Sequence, residues 1–226
     1  MSIQHIFFDL DHTLWDFERN SELAFQRIFE ERKIPISITD FLKIYKPINF
    51  KYWKLYREEK VSKEALRYNR LKETFEELTY SISTELIIAI SEDYINFLSD
   101  YNHLFEGTIE ILDYLKEKYE LHIITNGFKE VQHLKMEKSG IKKYFTHIIT
   151  AESIGVKKPD PKIFAYAMKL AKATPKNCIM IGDSYEADVI GGLDMGMSAI
   201  YCNLEKKENI KGISTIQSLI ELKQYL

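Results

Sequence analysis

The sequence predicts an α/β protein with a parallel sheet whose first strand lies at the start of the chain and is followed at once by a helical insertion. Three observations carry this. Ile3, Ile6, Phe7 and Phe8 form a short apolar run that stops at two carboxylates, Asp9 and Asp11. From Phe17 to about Asn102 the apolar residues recur at three- and four-residue spacing, with no glycine among them. After Gly107 short apolar runs alternate with helix-length segments.

In chain order, the first run reads as a strand buried on both faces. The insertion reads as four or five helices, from Leu23-Phe25-Ile28-Phe29, Phe41-Leu42-Tyr45, Trp53-Leu55-Tyr56, Leu66-Leu71-Phe75-Leu78 and Leu86-Ile90-Tyr94-Phe97. Ser62 and Ser83 are the expected N-caps of the later ones. Four further strands are expected at Leu121 to Ile124, Tyr144 to Ile149, Cys178 to Ile181 and Ser198 to Tyr201. Their unbroken apolar character fits a parallel sheet covered on both faces. The first strand cannot bury its faces alone and must join them, so the sheet domain is discontinuous: 1–16 with 103–226, and 17–102 as the helical insertion.

Composition narrows the function. The chain has 226 residues, 45% of them hydrophobic, and a formal net charge of -3. That suffices for a real core, and Lys and Arg scattered among Asp and Glu form no basic stripe. Nucleic-acid polymers and anionic membranes are therefore excluded as partners, while a small anion is not. Cys178 and Cys202 lie in strand-like runs with no metal-ligand spacing and read as buried free thiols, which suits a reducing cytoplasm. The stretch before Asp9 lacks the basic region and apolar length of a signal peptide. The greasiest patch, Leu86 to Ile90, is too short to span a bilayer. A cytoplasmic protein is expected.

Polar groups then fall at the C-terminal ends of the strands: Asp9 and Asp11, Thr125-Asn126-Gly127, Lys157-Lys158-Pro159 after a loop, and Gly182-Asp183-Ser184 with Asp188 beyond. Open α/β sheets bind ligands at that edge. Singly these are a turn, a solvated loop or a helix cap. Together, in this order, they suit phosphoryl transfer through a carboxyl phosphate. A carboxylate attacks phosphorus when a divalent metal and fixed donors neutralise the dianion, and Mg²⁺ takes few carboxylates plus waters and substrate oxygen. Asp9 and Asp183 supply charge for the metal. A lysine and the Thr125 hydroxyl, with the backbone amides of the Gly127 turn, serve the phosphate. Asp11 can protonate the leaving alkoxide and later deprotonate water.

Asp9-Leu10-Asp11-His12-Thr13, Thr125-Asn126-Gly127, Lys158-Pro159-Asp160-Pro161 and Gly182-Asp183-Ser184 through Asp188 resemble the four motifs of the haloacid dehalogenase-like hydrolases. The resemblance implies a Rossmann-like parallel-sheet core with an inserted α-helical cap, and Mg²⁺ as cofactor. It implies Asp9 as nucleophile, Asp11 as general acid/base whose carbonyl also meets the metal, and Thr125 and Lys158 as phosphate ligands. Asp183 becomes the direct metal ligand and Asp188 an acid behind it. Lys157 is read as a solvated neighbour, and His12, where many members carry glycine, as lining the entrance.

A narrower similarity runs through Ile124 to Phe128, Leu134 to Gly140, Ile154 to Pro159 and the cap from Tyr52-Trp53 to Arg70. It points to the bacterial pyrimidine nucleotidase branch and so to a nucleoside 5'-monophosphate as partner. Glu59 stands where that branch is expected to have glycine. Trp15, Phe17, Tyr45, Phe50, Tyr52, Trp53 and Tyr56 could stack a base, Trp53 first, although such residues at helical spacing commonly form core. Arg70 would contact phosphate or sugar, or pair with a cap carboxylate. A sugar-phosphate phosphatase or phosphomutase shares every core motif and stays open, as does the oligomeric state. Asp11 and Asp183 argue against a true dehalogenase. With Asp9 they also argue against a non-catalytic metabolite-binding or regulatory module.

Overall fold

The computed structural model describes residues 2–204 and 210–226. The chain divides into two compact units, 1–17 with 102–226, and 18–101. In chain order the elements are β1 (His5–Phe8), α1 (Phe17–Glu31), α2 (Ile38–Arg57), α3 (Lys63–Glu77), α4 (Thr84–Leu98), α5 (Thr108–Lys116), β2 (Glu120–Thr125), α6 (Lys129–Lys138), β3 (Phe145–Thr150), α7 (Ala151–Ile154), α8 (Pro161–Leu170), β4 (Cys178–Gly182), α9 (Gly191–Asp194), β5 (Ser198–Cys202) and β6 (Thr215–Ile216).

In the first unit a six-stranded sheet has the order β3-β2-β1-β4-β5-β6 with every pair parallel. The chain runs outward from β1 through β2 and β3, then returns to lay β4 on the other side of β1. The order therefore reverses between β1 and β4, the switch point where such sheets open a ligand crevice. All four residues of β1 are buried, as a central strand requires. Phe8 pairs with Ile123 on one side and Ile181 on the other, so Asp9, Thr125 and Asp183 leave the sheet at nearly one level. On one face Phe7, Ile124, Ile149 and Met180 pack with Ile163, Phe164, Ala167 and Met168 of α8. β1 begins at His5 rather than Ile3, and β6, a two-residue edge strand, has no apolar run to announce it.

The helical unit closes on aromatic rings: Phe25 stacks on Tyr94 at 4.4 Å between centroids and meets Tyr45 at 4.7 Å and Phe41 at 4.9 Å. Ser62 and Ser83 cap α3 and α4, accepting from Ala65 N at 3.1 Å and Leu86 N at 3.2 Å. The runs around Phe41 and Trp53 belong to one helix, because α2 continues through Pro47. Its buried stripe, Phe41, Leu42, Tyr45, Ile48 and Tyr56, spans the proline, and that burial outweighs the lost backbone bond. Among the described residues no helix is long and apolar enough to cross a membrane.

Candidate active site

Every strand-end group of the sheet lies in the first unit. Asp9 follows β1, held by its amide to Ile181 O at 2.9 Å. Its Oδ1 accepts from Lys158 Nζ at 2.8 Å, and the same ammonium donates to Asp188 Oδ1 at 2.6 Å. Lys158 is 2% exposed and Asp188 fully buried. The second oxygen of Asp188 accepts from the Ser184 amide at 3.0 Å. Asp188 sits on a π-helical turn, Tyr185–Ile190, so close to the strand end that a Cβ on Gly182 would lie 2.2 Å from its Oδ2. Only glycine fits there.

Asp183 accepts from Thr13 Oγ1 at 3.4 Å and, with Asp9 and Asp188, completes a set of carboxylates whose oxygens lie within 4.8 Å of one another. The electrostatics follow. Burial pushes the Asp9 carboxyl up, Lys158 pulls it down, and Asp188 and Asp183 push it up again, to about 8. Burial disfavours the Lys158 ammonium, but Asp188 and Asp9 outweigh it and hold its pKa above the ordinary lysine value. Three acids around one lysine leave an excess of negative charge, and their all-oxygen donors are of the kind a hard divalent cation takes.

Thr125 ends β2, and its Oγ1 accepts from the Gly127 amide at 3.1 Å. Asn126 brackets the backbone of Lys158: its Nδ2 donates to Lys158 O at 3.0 Å and its Oδ1 accepts from Lys158 N at 2.8 Å. It thereby aims the lysine at Asp9. Asp11 has both oxygens engaged from α6, by Lys135 Nζ at 2.6 Å and Gln132 Nε2 at 2.9 Å. Sequence reasoning missed these two, since buried Gln and Lys on a charged helix look like a solvated face. The one available signal was Gly127, whose Cβ would stand 2.3 Å from Gln132 Nε2. His12 takes a left-handed backbone, φ 61, which explains why glycine suits that turn.

The cap candidates lie in the other unit. Arg70 is 2% exposed, donates from Nη1 to Asn49 Oδ1 at 2.8 Å and lies over the rings of Tyr94 and Tyr45, so its partner is an amide rather than a carboxylate. Trp53 is half-buried, edge-on to Tyr56 at 5.8 Å. Tyr45 is fully buried core there, as Trp15 is in the first unit, and Tyr52 donates to Glu73 at 2.9 Å. Both cysteines are free and buried.

Residues 3–196 match the family model of the haloacid dehalogenase-like hydrolases. The chain is 30% identical to pyrimidine 5'-nucleotidase YjjG of Escherichia coli, over 98% of this chain and 96% of that one. It is 26% identical to the glyceraldehyde 3-phosphate phosphatase of Methanothermobacter thermautotrophicus, over 99% and 100%. The magnesium-bound crystal structure of the HAD-hydrolase YfnB from Bacillus subtilis superposes with a TM-score of 0.90 at 27% identity, covering 100% of this chain and 99% of that one. With the strand order, the crevice and these matches in agreement, the chain belongs to the haloacid dehalogenase-like hydrolases and is one of the family's phosphatases.

Proposed function

We propose that the chain is a Mg²⁺-dependent phosphomonoester hydrolase acting through a phosphoryl group carried on Asp9, with pyrimidine nucleoside 5'-monophosphates as its preferred substrates. The observation that carries this reading is the convergence of Asp9, Asp183 and Asp188 on one another, two of them, Asp9 and Asp188, on a single buried lysine. Asp9, Asp183 and the carbonyl of Asp11 would hold Mg²⁺, which would supply charge neutralisation for the nucleophile and the phosphate. Asp188, already engaged by Lys158 and Ser184, supports them from behind. An Asp9 oxygen attacks phosphorus, the bond to the leaving alkoxide breaks, and Asp11 gives that oxygen its proton. Water then attacks the same phosphorus, Asp11 takes its proton, and the Asp9–phosphorus bond opens to release inorganic phosphate. Lys158, the Thr125 hydroxyl and the amide of Asn126 receive the phosphate oxygens, while the Gly127 amide is already given to Thr125 Oγ1.

The core motifs meet only phosphate and metal, so selectivity is assigned to the helical unit as cap. Within it Trp53 is the base-stacking candidate. Arg70 ties α3 to α2 through Asn49 and supports that surface from inside. The similarity to YjjG supports the nucleotide assignment. The similarity to a triose-phosphate phosphatase favours, as second reading, a small sugar phosphate. The buried free thiols suit action in the cytoplasm.

Phosphate release from uridine, thymidine and adenosine 5'-monophosphates, glucose 6-phosphate and glyceraldehyde 3-phosphate tests the assignment. Pyrimidine nucleotides are expected to lead in kcat/KM by about tenfold or more, and Trp53→Ala to remove roughly 1–3 kcal/mol of that preference. A lead for either sugar phosphate overturns the nucleotide assignment.

A further inference from the structure

Gln132 is 1% exposed and Lys135 2% exposed, three residues apart on one face of α6. Folding alone would not choose an amide and an ammonium for those positions, where an apolar side chain would pack without desolvation. Their contacts say what they do instead. The Gln132 amide nitrogen has two hydrogens; one goes to Asp11 Oδ2 at 2.9 Å, the other to Thr125 Oγ1 at 2.7 Å. The amide cannot face the other way, because its oxygen would then oppose a carboxylate oxygen. Its Oε1 is buried without a hydrogen-bond partner among the described residues, a cost tolerated at this position.

The count at Thr125 then closes. Its Oγ1 accepts from Gly127 N at 3.1 Å and from Gln132 Nε2, which fills both lone pairs. The hydroxyl hydrogen is left to donate outward. Lys135 Nζ, 4.1 Å from the Trp15 ring centre and 5.1 Å from that of Phe17, reaches Asp11 Oδ1 at 2.6 Å and fixes the other oxygen of that carboxylate. Gly127 leaves the space the Gln132 side chain fills.

We infer that Gln132 is a positioning residue that links the two halves of the reaction: it turns the Thr125 hydroxyl toward phosphate and, together with Lys135, aims the Asp11 carboxyl at the leaving group. This rests on the phosphohydrolase reading of Asp11 and Thr125, and not on the identity of the substrate.

The test uses the full-length enzyme and its Gln132→Leu and Lys135→Met variants, with Gln132→Met as a second substitution in case the first fails to fold. Three quantities are read: kcat on uridine 5'-monophosphate, kcat on 4-nitrophenyl phosphate, and the inhibition constant of inorganic phosphate. The two kcat values come from one sample, so their ratio is independent of the folded fraction. Gln132→Leu is expected to lower the alkyl-to-aryl ratio about tenfold, because only the alkyl ester needs Asp11's proton, and to raise the phosphate inhibition constant about tenfold. Lys135→Met is expected to lower the ratio and leave phosphate inhibition unchanged, and Lys135→Arg to restore the ratio in part. In a Thr125→Val background Gln132→Leu should no longer move phosphate inhibition, and in an Asp11→Asn background it should no longer move the ratio. Wild-type values in Gln132→Leu, or full additivity in both backgrounds, overturn the inference. A wild-type enzyme that hydrolyses the aryl ester but not the nucleotide removes the nucleotide assignment alone, and phosphate inhibition still decides the role of Gln132. A wild-type enzyme that hydrolyses neither overturns the phosphohydrolase reading and the inference with it.

Discussion

The two ends of the parallel sheet each gather titratable side chains and treat them in opposite ways. At the carboxyl end Asp9, Asp183 and Asp188 converge; at the amino end His5 and His122 converge with Glu120. His5 Nδ1 and His122 Nε2 share one hydrogen bond at 3.3 Å, and the His122 ring stacks between Phe7 at 4.7 Å and His147 at 5.3 Å. Burial, His147 and His5 push His122 down to about 3, so its ring stays neutral. The carboxyl end instead holds a fully buried acid and a 2% exposed lysine against each other and crowds two further acids beside them, so that without a cation Asp9 is pushed up to about 8. An end shaped by folding alone settles its buried groups as neutral; one that crowds more acids than its lysine can neutralise is shaped for a cation.

The largest expected effect is at Asp9. Asp9→Asn should lower kcat by at least about 10⁴-fold, since the amide keeps the shape and loses the nucleophile. Metal-free stability at neutral pH should hold or rise. Between the ordinary 3.8 and about 8 the folded protein keeps a proton the unfolded chain has lost, so this group's contribution falls as pH rises through that window. Kinetics and thermal melts on one preparation check both, and a melt that collapses with activity would make Asp9 structural and erase the contrast.

At the amino end the sign is the reverse. The unfolded chain binds a proton at His122 below 6.5 that the folded ring refuses until about 3, so stability falls as pH falls through that interval. The slope from this residue is at most about 1.4 kcal/mol per pH unit. His122→Phe should flatten the acid limb of denaturant-derived stability and leave kcat at neutral pH unchanged. An altered kcat would tie the amino end to the chemistry.

The smallest effect is expected at a position belonging to neither end. Glu59 closes α2 with φ 58, its amide bonded to Tyr56 O at 3.2 Å and that of Lys60 to Leu55 O at 2.9 Å. This is the left-handed C-cap geometry that glycine adopts without strain. Glu59→Gly should stabilise by about 0.5–1 kcal/mol, with no change in acid limb or kcat. Destabilisation would show that the Glu59 side chain contributes more than its backbone costs.

The same contrast explains what the sequence made legible. Asp9, Thr125 and Asp183 stood out because each ends an apolar strand at the edge where ligands bind, and parallel register brings such ends to one level, whereas Lys158, in the loop beyond β3 and α7, stood out through its place before Pro159 in the family motif. The glycine-like turns at His12 and Glu59 were visible as departures from a family pattern, and their positive φ values supply the reason. Gln132 and Lys135 were hidden, since helical periodicity marks apolar faces and a buried polar pair looks like the outside of a helix. Tyr45 and Trp15 were ambiguous for the complementary reason: an aromatic that packs core and one that stacks a ligand share the same spacing. β6, two residues that among the described residues pair with β5 alone, carries no periodic signal at all.

The most direct test of the central claim, that the carboxyl end keeps excess acid in order to hold a cation for phosphoryl transfer, is phosphate release from 4-nitrophenyl phosphate after verified metal removal and on titration back with Mg²⁺. Turnover should vanish in the metal-free enzyme and return with Mg²⁺, and it should fail to return in Asp183→Asn at the concentrations that restore the wild type. Undiminished turnover without metal would contradict the account, leaving the carboxylate cluster without the role assigned to it.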